Sequence, residues 1–363
     1  MKILSTAGKG AVVCLGLVAA TLTAPSMAQD GLPMIDTHAH LNFSGKSKGA
    51  SATIDFPNAV AGALERMGQN GFSRTILMPQ PSPPEAGNKW EADKLDFAIA
   101  NHSDRISRGG GGGSLNPMIQ GIAPDAVDDA VRAKSRAAAL AVLASKPVVL
   151  GEVTAHHLSM KAMGPQHGYE SVPADHPLLL LLADIAAEHG IPVDLHFDLV
   201  PEDMARPDAP IFNDKTPLQL KANMAAFERL LAHNRNATIV WAHAGSDPLK
   251  VRTIELQREL LRKHPNLMMS LKLGQLGGGT PVIVLGPQGN IKPLWLQFLS
   301  EFPDRFVLGS DFFHGPTDST TRGPEEAALG KYSPALAKLP KDLAEALAFR
   351  NAVRIFKLPS PDR

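Results

Sequence analysis

Two histidines separated by one residue lie at the end of an apolar stretch near the start of the chain. The stretch covers residues 34–40 and reads MIDTHAH. Side chains two positions apart on a strand point to the same face, so the imidazoles of His38 and His40 are expected to lie side by side. Neutral imidazole nitrogens are common ligands of divalent cations. The pair predicts a metal site, but it is a weak signal by itself because structural histidines are common.

Further apolar runs also end in a residue that can bind a metal. The residues at these ends are Glu152, His196, His243 and Asp311. A charged side chain at the end of a buried strand is costly unless it meets a partner. A cation between several converging groups of this kind would supply that partner. Together with the histidine pair, these residues predict one metal centre.

The elements that position these residues alternate along the chain as short strands and longer helices. The predicted strands are 33–40, 74–78, 105–108, 147–153, 191–197, 237–243, 267–272 and 305–311, and the predicted helices are 58–70, 124–145, 176–188, 217–233, 248–263, 292–302 and 341–355. Such alternation predicts an α/β fold, a (β/α)8 TIM barrel formed by one domain over residues 29–363. An open doubly wound sheet is the alternative. It is disfavoured because the first turn carries His-Ala-His instead of a glycine fingerprint.

A (β/α)8 barrel predicts where the functional residues should lie along the sequence. Active sites of (β/α)8 barrels lie at the carboxyl ends of the strands. The metal-competent residues named above all lie at or near predicted strand ends. The sequence therefore predicts that they meet at the barrel mouth.

Composition narrows the classes of function. The 363 residues are 44% apolar, and 36 basic residues balance 36 acidic ones, so no positive excess is available to hold a nucleic acid. One cysteine excludes an internal disulfide and a cysteine-rich zinc module. Thirteen histidines remain as candidate ligands.

Residues 1–28 are typical of a Sec-type signal peptide. Lys2 and Lys9 make the first residues positively charged, and residues 11–24 are apolar. Small residues at 26–28 precede the expected new terminus at Gln29. No other run is long enough to cross a bilayer. We therefore expect an exported protein, periplasmic or secreted, that does not contact the membrane after cleavage.

The sequence resembles a known family, the amidohydrolase superfamily in its amidohydrolase-related (amidohydrolase-2) branch. The stretches that carry the resemblance are 34–40, 63–79, 237–245, 302–312 and 350–358. Their order and spacing follow the family over nearly all of the chain that remains after the signal peptide. Together they are a specific signal, although each alone is not.

The resemblance implies a role for each candidate residue. His38, His40 and His196 occupy metal-ligand positions, and Asp311 matches a weak metal ligand that also serves as general base. His243 matches a histidine that polarises the substrate or binds a second ion. Glu152 matches a bridging carboxylate of two-metal relatives. Many single-metal members lack that glutamate, so the sequence leaves one or two ions open.

The chemistry that follows is metal-assisted reaction of a small-molecule substrate. A bound Zn²⁺ lowers the pKa of water from about 16 to about 7, and nitrogen and oxygen ligands favour Zn²⁺ over Mn²⁺ or Fe²⁺. Hydrolysis of an amide, ester or lactone is the expected reaction. A decarboxylase or hydratase of a small carboxylic acid is the alternative, since relatives use the same layout for lyase chemistry. The sequence is compatible with a homo-oligomer and does not identify the substrate.

Several residues next to the strand ends are candidates for substrate contacts. Lys272 could pair with a substrate carboxylate, or it could form a salt bridge to Glu152 or Asp311, and the sequence favours neither. Phe313 is expected to wall an apolar pocket. His314 is expected to be a solvated loop residue.

Three further segments follow predicted strands. Residues Gly109–Gly113 are expected to form a glycine loop after the third strand, either approaching an anion or only keeping the loop small. His156 and His157 are expected to point away from the site. Residues 199–216 are rich in proline and aspartate and are expected to form a lid.

Overall fold

The structure is a computed structural model that describes residues 31–41, 55–84, 99–164, 167–273, 283–317 and 324–361. The expected signal peptide, residues 1–28, lies outside the described residues. The described helices include none that is both long and apolar enough to cross a membrane.

Eight parallel strands form a closed barrel. They are β1 (Met34–Leu41), β2 (Phe72–Leu77), β3 (Ile106–Gly111), β4 (Val149–His157), β5 (Val193–Phe197), β6 (Ile239–Ala244), β7 (Leu267–Leu271) and β8 (Phe306–Leu308). Each strand pairs with the next, and β8 returns to β1, where Asp36 pairs with Leu308. The predicted (β/α)8 fold is confirmed.

Helices surround the barrel. They are α1 (Phe56–Asn70), α2 (Leu115–Gly121), α3 (Asp129–Ala144), α4 (Pro177–His189), α5 (Met224–His233), α6 (Ile254–Lys263), α7 (Pro293–Glu301), α8 (Pro324–Leu329), α9 (Tyr332–Leu336), α10 (Lys341–Glu345) and α11 (Asn351–Phe356). A π-helical turn, Ala346–Arg350, joins the last two. The main core lies between the strands and these helices.

Local sequence explains where such helices begin and end. In α1, the Asp55 carboxylate accepts the backbone N–H of Asn58, and Pro57 occupies the first turn, where its missing N–H costs nothing. Gly71 ends the helix at a φ of +79°, a conformation that glycine adopts without a steric penalty. The chain then enters β2 at once.

The prediction of a glycine loop was wrong for the first three glycines of the run and right for Gly112 and Gly113, which lie in a turn. Gly109, Gly110 and Gly111 belong to β3 and pair with β4. At Gly112, a Cβ atom would lie 2.5 Å from the carbonyl oxygen of Pro79 and 2.8 Å from that of Glu152. Gly112 is therefore small because neighbouring backbone approaches it closely, whereas a Cβ atom at Gly109 or Gly110 would meet side-chain atoms of Met78 or Val142 at 2.7 Å.

The segment predicted to be a lid lies against a small apolar cluster of its own. Residues Met204–Ala205 and Gln219–Leu220 pair as a two-stranded antiparallel ribbon. Beneath it, Leu158, Val200 and Phe212 are buried together with Leu220 and Leu249. The segment is thus a packed cover beside the strand ends of β4 and β5.

Candidate metal centre

The structure brings all six predicted metal-site residues to the carboxyl end of the barrel. His38 and His40 lie on β1, Glu152 on β4, His196 on β5 and His243 on β6. Asp311 follows β8 and joins the same cluster. Two groups within the cluster have donor atoms close enough to share one ion: His38, Glu152 and His243, and His38, His40 and Asp311.

Hydrogen bonds at Nδ1 direct the other nitrogen of each β1 histidine into the centre. His40 Nδ1 lies 2.9 Å from the carbonyl oxygen of Met78, which can only accept, so Nδ1 carries the proton. His38 Nδ1 donates in the same way to the carboxylate of Asp194, at 3.1–3.2 Å. In the neutral rings, both Nε2 atoms therefore present a lone pair.

One oxygen of Glu152 faces this first set of atoms. Glu152 Oε2 lies 3.3 Å from His40 Nε2 and 3.6 Å from His38 Nε2. Asp311 Oδ1 lies 3.5 Å and 3.8 Å from the same two nitrogens. The His38 Nε2 atom is buried and has no hydrogen-bond partner among the described residues. The set thus consists of acceptor atoms that face one another.

The other oxygen of Glu152 faces a second set. Glu152 Oε1 lies 2.8 Å from His196 Nδ1 and 3.3 Å from His243 Nε2, and those two nitrogens are 3.1 Å apart. The carboxylate of Glu152 therefore lies between two groups of nitrogen atoms, with one oxygen directed to each.

These spacings fit divalent cations. Ligands held about 2.1 Å from a tetrahedral Zn²⁺ are about 3.4 Å from each other. The first set spans separations of 3.3–3.8 Å around Glu152 Oε2 and Asp311 Oδ1. Lone pairs that face carboxylate oxygens at these distances repel unless a proton or a metal ion lies between them. The side chains therefore fit a metal centre in spacing and in chemistry.

The pKa shifts describe how the cluster holds protons in place of a cation. Burial lowers the pKa of His40, but hydrogen bonds with Asp311 and Glu152 outweigh it and raise this pKa to about 9. Burial likewise disfavours charge on His196, yet Asp198 and Glu152 raise its pKa to about 10. Burial opposes ionisation of Glu152, but the charge of His38 holds its pKa well below the usual range. The acids are thus ionised and ready to bind a cation.

Lys272 pairs with the predicted general base. Its Nζ lies 2.6 Å from Asp311 Oδ2. Although burial raises the pKa of Asp311, the positive charge of Lys272 holds it well below the usual range. Of the two partners considered for Lys272, the described structure shows the acidic one. Phe313 is half-buried, and its ring centre is 4.7 Å from that of His40.

Backbone turns present two of the acidic and imidazole groups. Asp311 and His243 adopt positive φ angles of +54° and +63°, which are uncommon for residues other than glycine. The turn at Asp311 is held by Asp36, whose carboxylate accepts from the backbone N–H of Ser310 at 2.9 Å and from the Ser310 hydroxyl. The carboxylate of Asp36 also accepts the backbone N–H of His38 at 3.2 Å, so it contacts the backbone of both β1 and the turn at Asp311.

Two acidic residues at the site were missed. Asp194 is fully buried against His38 Nδ1, and Asp198 Oδ2 lies 3.4 Å from His196 Nε2. Positions 194 and 196 lie on β5 and position 198 directly follows it, so a period of two was the signal that could have found them.

Two histidines contradict their predicted surroundings. His157 was expected to point away from the site, but its ring centre is 4.5 Å from that of His196 because β4 continues to that residue. His314 was expected to be solvated. It is only 1% exposed, lies on a short strand that pairs with β1, and has no hydrogen-bond partner among the described residues. Burial lowers its pKa to about 3.

The protein is a closed (β/α)8 barrel with imidazoles and carboxylates at the carboxyl ends of its strands, which places it in the class of (β/α)8 barrels with a candidate metal centre. Comparison with protein families then gives the family. The amidohydrolase model Amidohydro_2 matches residues 35–358, so this chain belongs to the amidohydrolase family. Members of this family generally bind metal, and they act on small molecules.

Solved structures with the same fold carry several activities. The 4-oxalomesaconate hydratase of Rhodopseudomonas palustris is 12% identical with a TM-score of 0.50, covering 89% of this chain and 95% of its own. A 2,6-dihydroxybenzoate decarboxylase is 14% identical (TM-score 0.47; 90% and 99% covered). A metallopeptidase described as dipeptidase AC is 13% identical (TM-score 0.44; 90% and 98%). At such identities the likeness concerns the fold alone. No match was found among the curated proteins.

Proposed function

We propose that this chain is an exported hydrolase that uses two divalent cations to cleave an amide, ester or lactone bond in a small substrate. The observation that carries the proposal is the position of Glu152. Its two oxygens face two separate groups of nitrogen atoms, one from β1 and one from β5 and β6. A single carboxylate placed in this way is suited to bridge two ions.

The residues divide into two binding positions. His38, His40 and Asp311 would hold one cation with Glu152 Oε2, and His196 and His243 would hold the other with Oε1. Divalent cations at these positions would supply Lewis acidity, which polarises a carbonyl group and acidifies water. Nitrogen and oxygen donors favour Zn²⁺.

Asp311 is suited to move the proton. Its carboxylate is ionised because Lys272 lies 2.6 Å away, and it faces the histidines of the first position. Asp311 takes a proton from the attacking water while the water oxygen bonds to the substrate carbonyl carbon. The carbon–nitrogen or carbon–oxygen bond then breaks, and the leaving group receives that proton.

Substrate would enter past a partly apolar rim. Phe313 lies against His40 on one side, and His157 lies against His196 on the other. Neutral imidazole and aromatic faces of this kind suit a small substrate with both polar and apolar parts.

The reaction is tested with Zn²⁺-loaded protein and a panel of lactones, esters, N-acyl amino acids and unsaturated acids. Turnover in ¹⁸O-labelled water should place the label in the product carboxylate. Carbon dioxide release from a carboxylic acid, or addition of water across a double bond, would instead support the lyase alternative and overturn the hydrolase. Asp311→Asn protein serves as the control for contaminating activity.

Export is tested separately by the mass of the protein purified from a host that has a Sec pathway. The mature chain should begin at Gln29, and it should be recovered outside the cytoplasm. An uncleaved chain retained in the cytoplasm would contradict this part of the proposal and leave the chemistry unaffected.

A further inference from the structure

A buried arginine holds the end of β6 from below and has no part in the chemistry proposed above. Arg252 is 4% exposed, and its guanidinium carbon lies 3.6 Å from the centre of the Trp241 ring. Its Nη1 donates to the carbonyl oxygens of Ala242 at 2.9 Å and His243 at 3.3 Å. Arg252 therefore holds the backbone on both sides of the His243 side chain by hydrogen bonds.

These hydrogen bonds hold the backbone of His243 in an unfavourable conformation. His243 has a φ of +63°, in a region that residues with a Cβ atom rarely adopt. Its carbonyl oxygen also accepts the backbone N–H of Ser246 at 2.9 Å. Contacts from outside the strand thus keep the turn in the form that directs His243 Nε2 toward Glu152 Oε1.

The ring beneath Arg252 links the same support to β5. Trp241 is fully buried, and its Nε1 donates to the carbonyl oxygen of Phe197 at 2.8 Å. Phe197 directly follows His196. The stacked pair of Arg252 and Trp241 therefore lies under both strand ends that supply nitrogen atoms to Glu152 Oε1.

A tight loop fixes Arg252 in place. The carboxylate of Asp247 accepts the backbone N–H groups of Leu249 at 3.2 Å, Lys250 at 2.9 Å and Arg252 at 2.6 Å. The loop after β6 is thereby closed around Asp247. As a result, the guanidinium returns beneath the strand from which the loop departed.

Stability alone does not account for a charged group here. Arg252 Nε and Nη2 are buried and have no hydrogen-bond partner among the described residues. Burial lowers the pKa of Arg252 to about 9, against the opposing charges of Asp247 and Asp198. A buried charged group is costly where its polar atoms lack partners, so these two unpartnered nitrogen atoms offset part of the stability that the contacts of Arg252 contribute.

We propose that Arg252 is a positioning residue for the second cation site, where it sets the direction of the His243 imidazole. This inference rests on the two-cation centre proposed above. Residues behind metal ligands typically change metal affinity by about 10–100-fold when they are substituted. The expected effect is therefore confined to the cation held by His196 and His243.

The test is a Zn²⁺ titration by calorimetry of metal-stripped full-length protein, with thermal melting of the metal-free form. In Arg252→Met, the second Zn²⁺ should bind about 10–100-fold more weakly, while the first binds as in the unmodified protein and the melting temperature is maintained. Arg252→Lys retains a donor for the two carbonyl oxygens and should be intermediate. Arg258→Met is the matched control. Arg258 lies on α6, and its guanidinium also lies over an aromatic ring, that of Phe298.

The outcomes separate this inference from the proposed function. If the unmodified protein binds one Zn²⁺, the two-cation centre is wrong and the inference is overturned with it. If it binds two and Arg252→Met also binds two with unchanged affinity, only the role of Arg252 is wrong. A third outcome is that Arg252→Met and Arg252→Lys both bind neither ion and both melt at a lower temperature. That result would show a merely structural role and would also overturn the inference.

Discussion

In the proposed mechanism, Asp311 connects the metal centre to proton transfer. Its Oδ1 faces the two β1 histidines, and its Oδ2 is held by Lys272 and lies 3.7 Å from His243 Nδ1. One oxygen is thus available to a cation, while the other lies among groups that can donate a proton. This division suits a residue that is both a weak ligand and a general base.

Replacing the base should therefore separate binding from turnover. We expect Asp311→Asn to retain most of the bound metal, because histidines and Glu152 supply the other ligands, and to lose activity by about 10²–10⁴-fold. Metal content is measured by plasma mass spectrometry and turnover by the labelled-water assay. Asp203→Asn, on the exposed surface, should leave both unchanged, and turnover near the original rate in Asp311→Asn would show that another group is the base.

Removing a histidine from each position should remove metal in a predictable way. His38→Ala and His196→Ala should each lower the metal content by about one ion per chain, because each histidine faces a different oxygen of Glu152. His233→Ala is the control, since His233 pairs with Asp184 outside the barrel mouth. Unchanged metal content in both site variants would show that these histidines are not ligands.

At the scale of the elements, strand ends were the most predictable feature. Apolar runs that finish in histidine or acid placed His38, Glu152 and His243 correctly at one end of the barrel, because parallel strands must all end on the same side. The boundaries were less predictable. Helix α5 begins at Met224 instead of 217 because the residues before it form part of the antiparallel ribbon.

Features that depend on neighbouring segments could not be read from one sequence. The positive φ angles of His243 and Asp311 arise from turns closed by Arg252 and Asp36, and neither turn carries glycine at that position. The close contacts of Gly112 likewise come from backbone that follows β2 and from β4. Pairing between distant segments determined all of these features.

The glycine after β3 gives a prediction about packing. Gly112→Ala should destabilise the protein by about 1–3 kcal/mol, because the new Cβ would meet carbonyl oxygens at 2.5, 2.8 and 2.9 Å. Gly68→Ala is the matched control. Gly68 lies in α1 with open space around it, and alanine there should stabilise the helix by up to about 1 kcal/mol. Urea unfolding measures both, and equal stability of the two variants would contradict the packing role.

At the scale of the whole molecule, a buried histidine should make stability sensitive to acid. His314 on the strand beside β1 has a pKa lowered to about 3, first by burial and then by the positive charges of Arg66 on α1 and His40 on β1. An unfolded histidine has a pKa of about 6.5. The unfolded chain therefore binds one more proton as the pH falls below about 6.5, and stability decreases until about pH 3.

Replacing this histidine should flatten that dependence. Between pH 7 and pH 4.5, His314→Phe should lose about 3 kcal/mol less unfolding free energy than the unmodified protein, from two pH units at about 1.4 kcal/mol each. Urea unfolding at several pH values gives the slopes. An exposed histidine, tested as His189→Gln, is the control, and identical slopes for His314→Phe and the original chain would show that His314 titrates normally when folded.

The closure of the barrel between β8 and β1 has a consequence for biogenesis. Asp311 donates its backbone N–H to the carbonyl oxygen of His38 at 2.8 Å, so ligands encoded near opposite termini become neighbours only when the last strand is in place. The ion position that includes Asp311 would therefore be complete only after almost the whole polypeptide has left the ribosome, and translation products truncated before β8 would lack it.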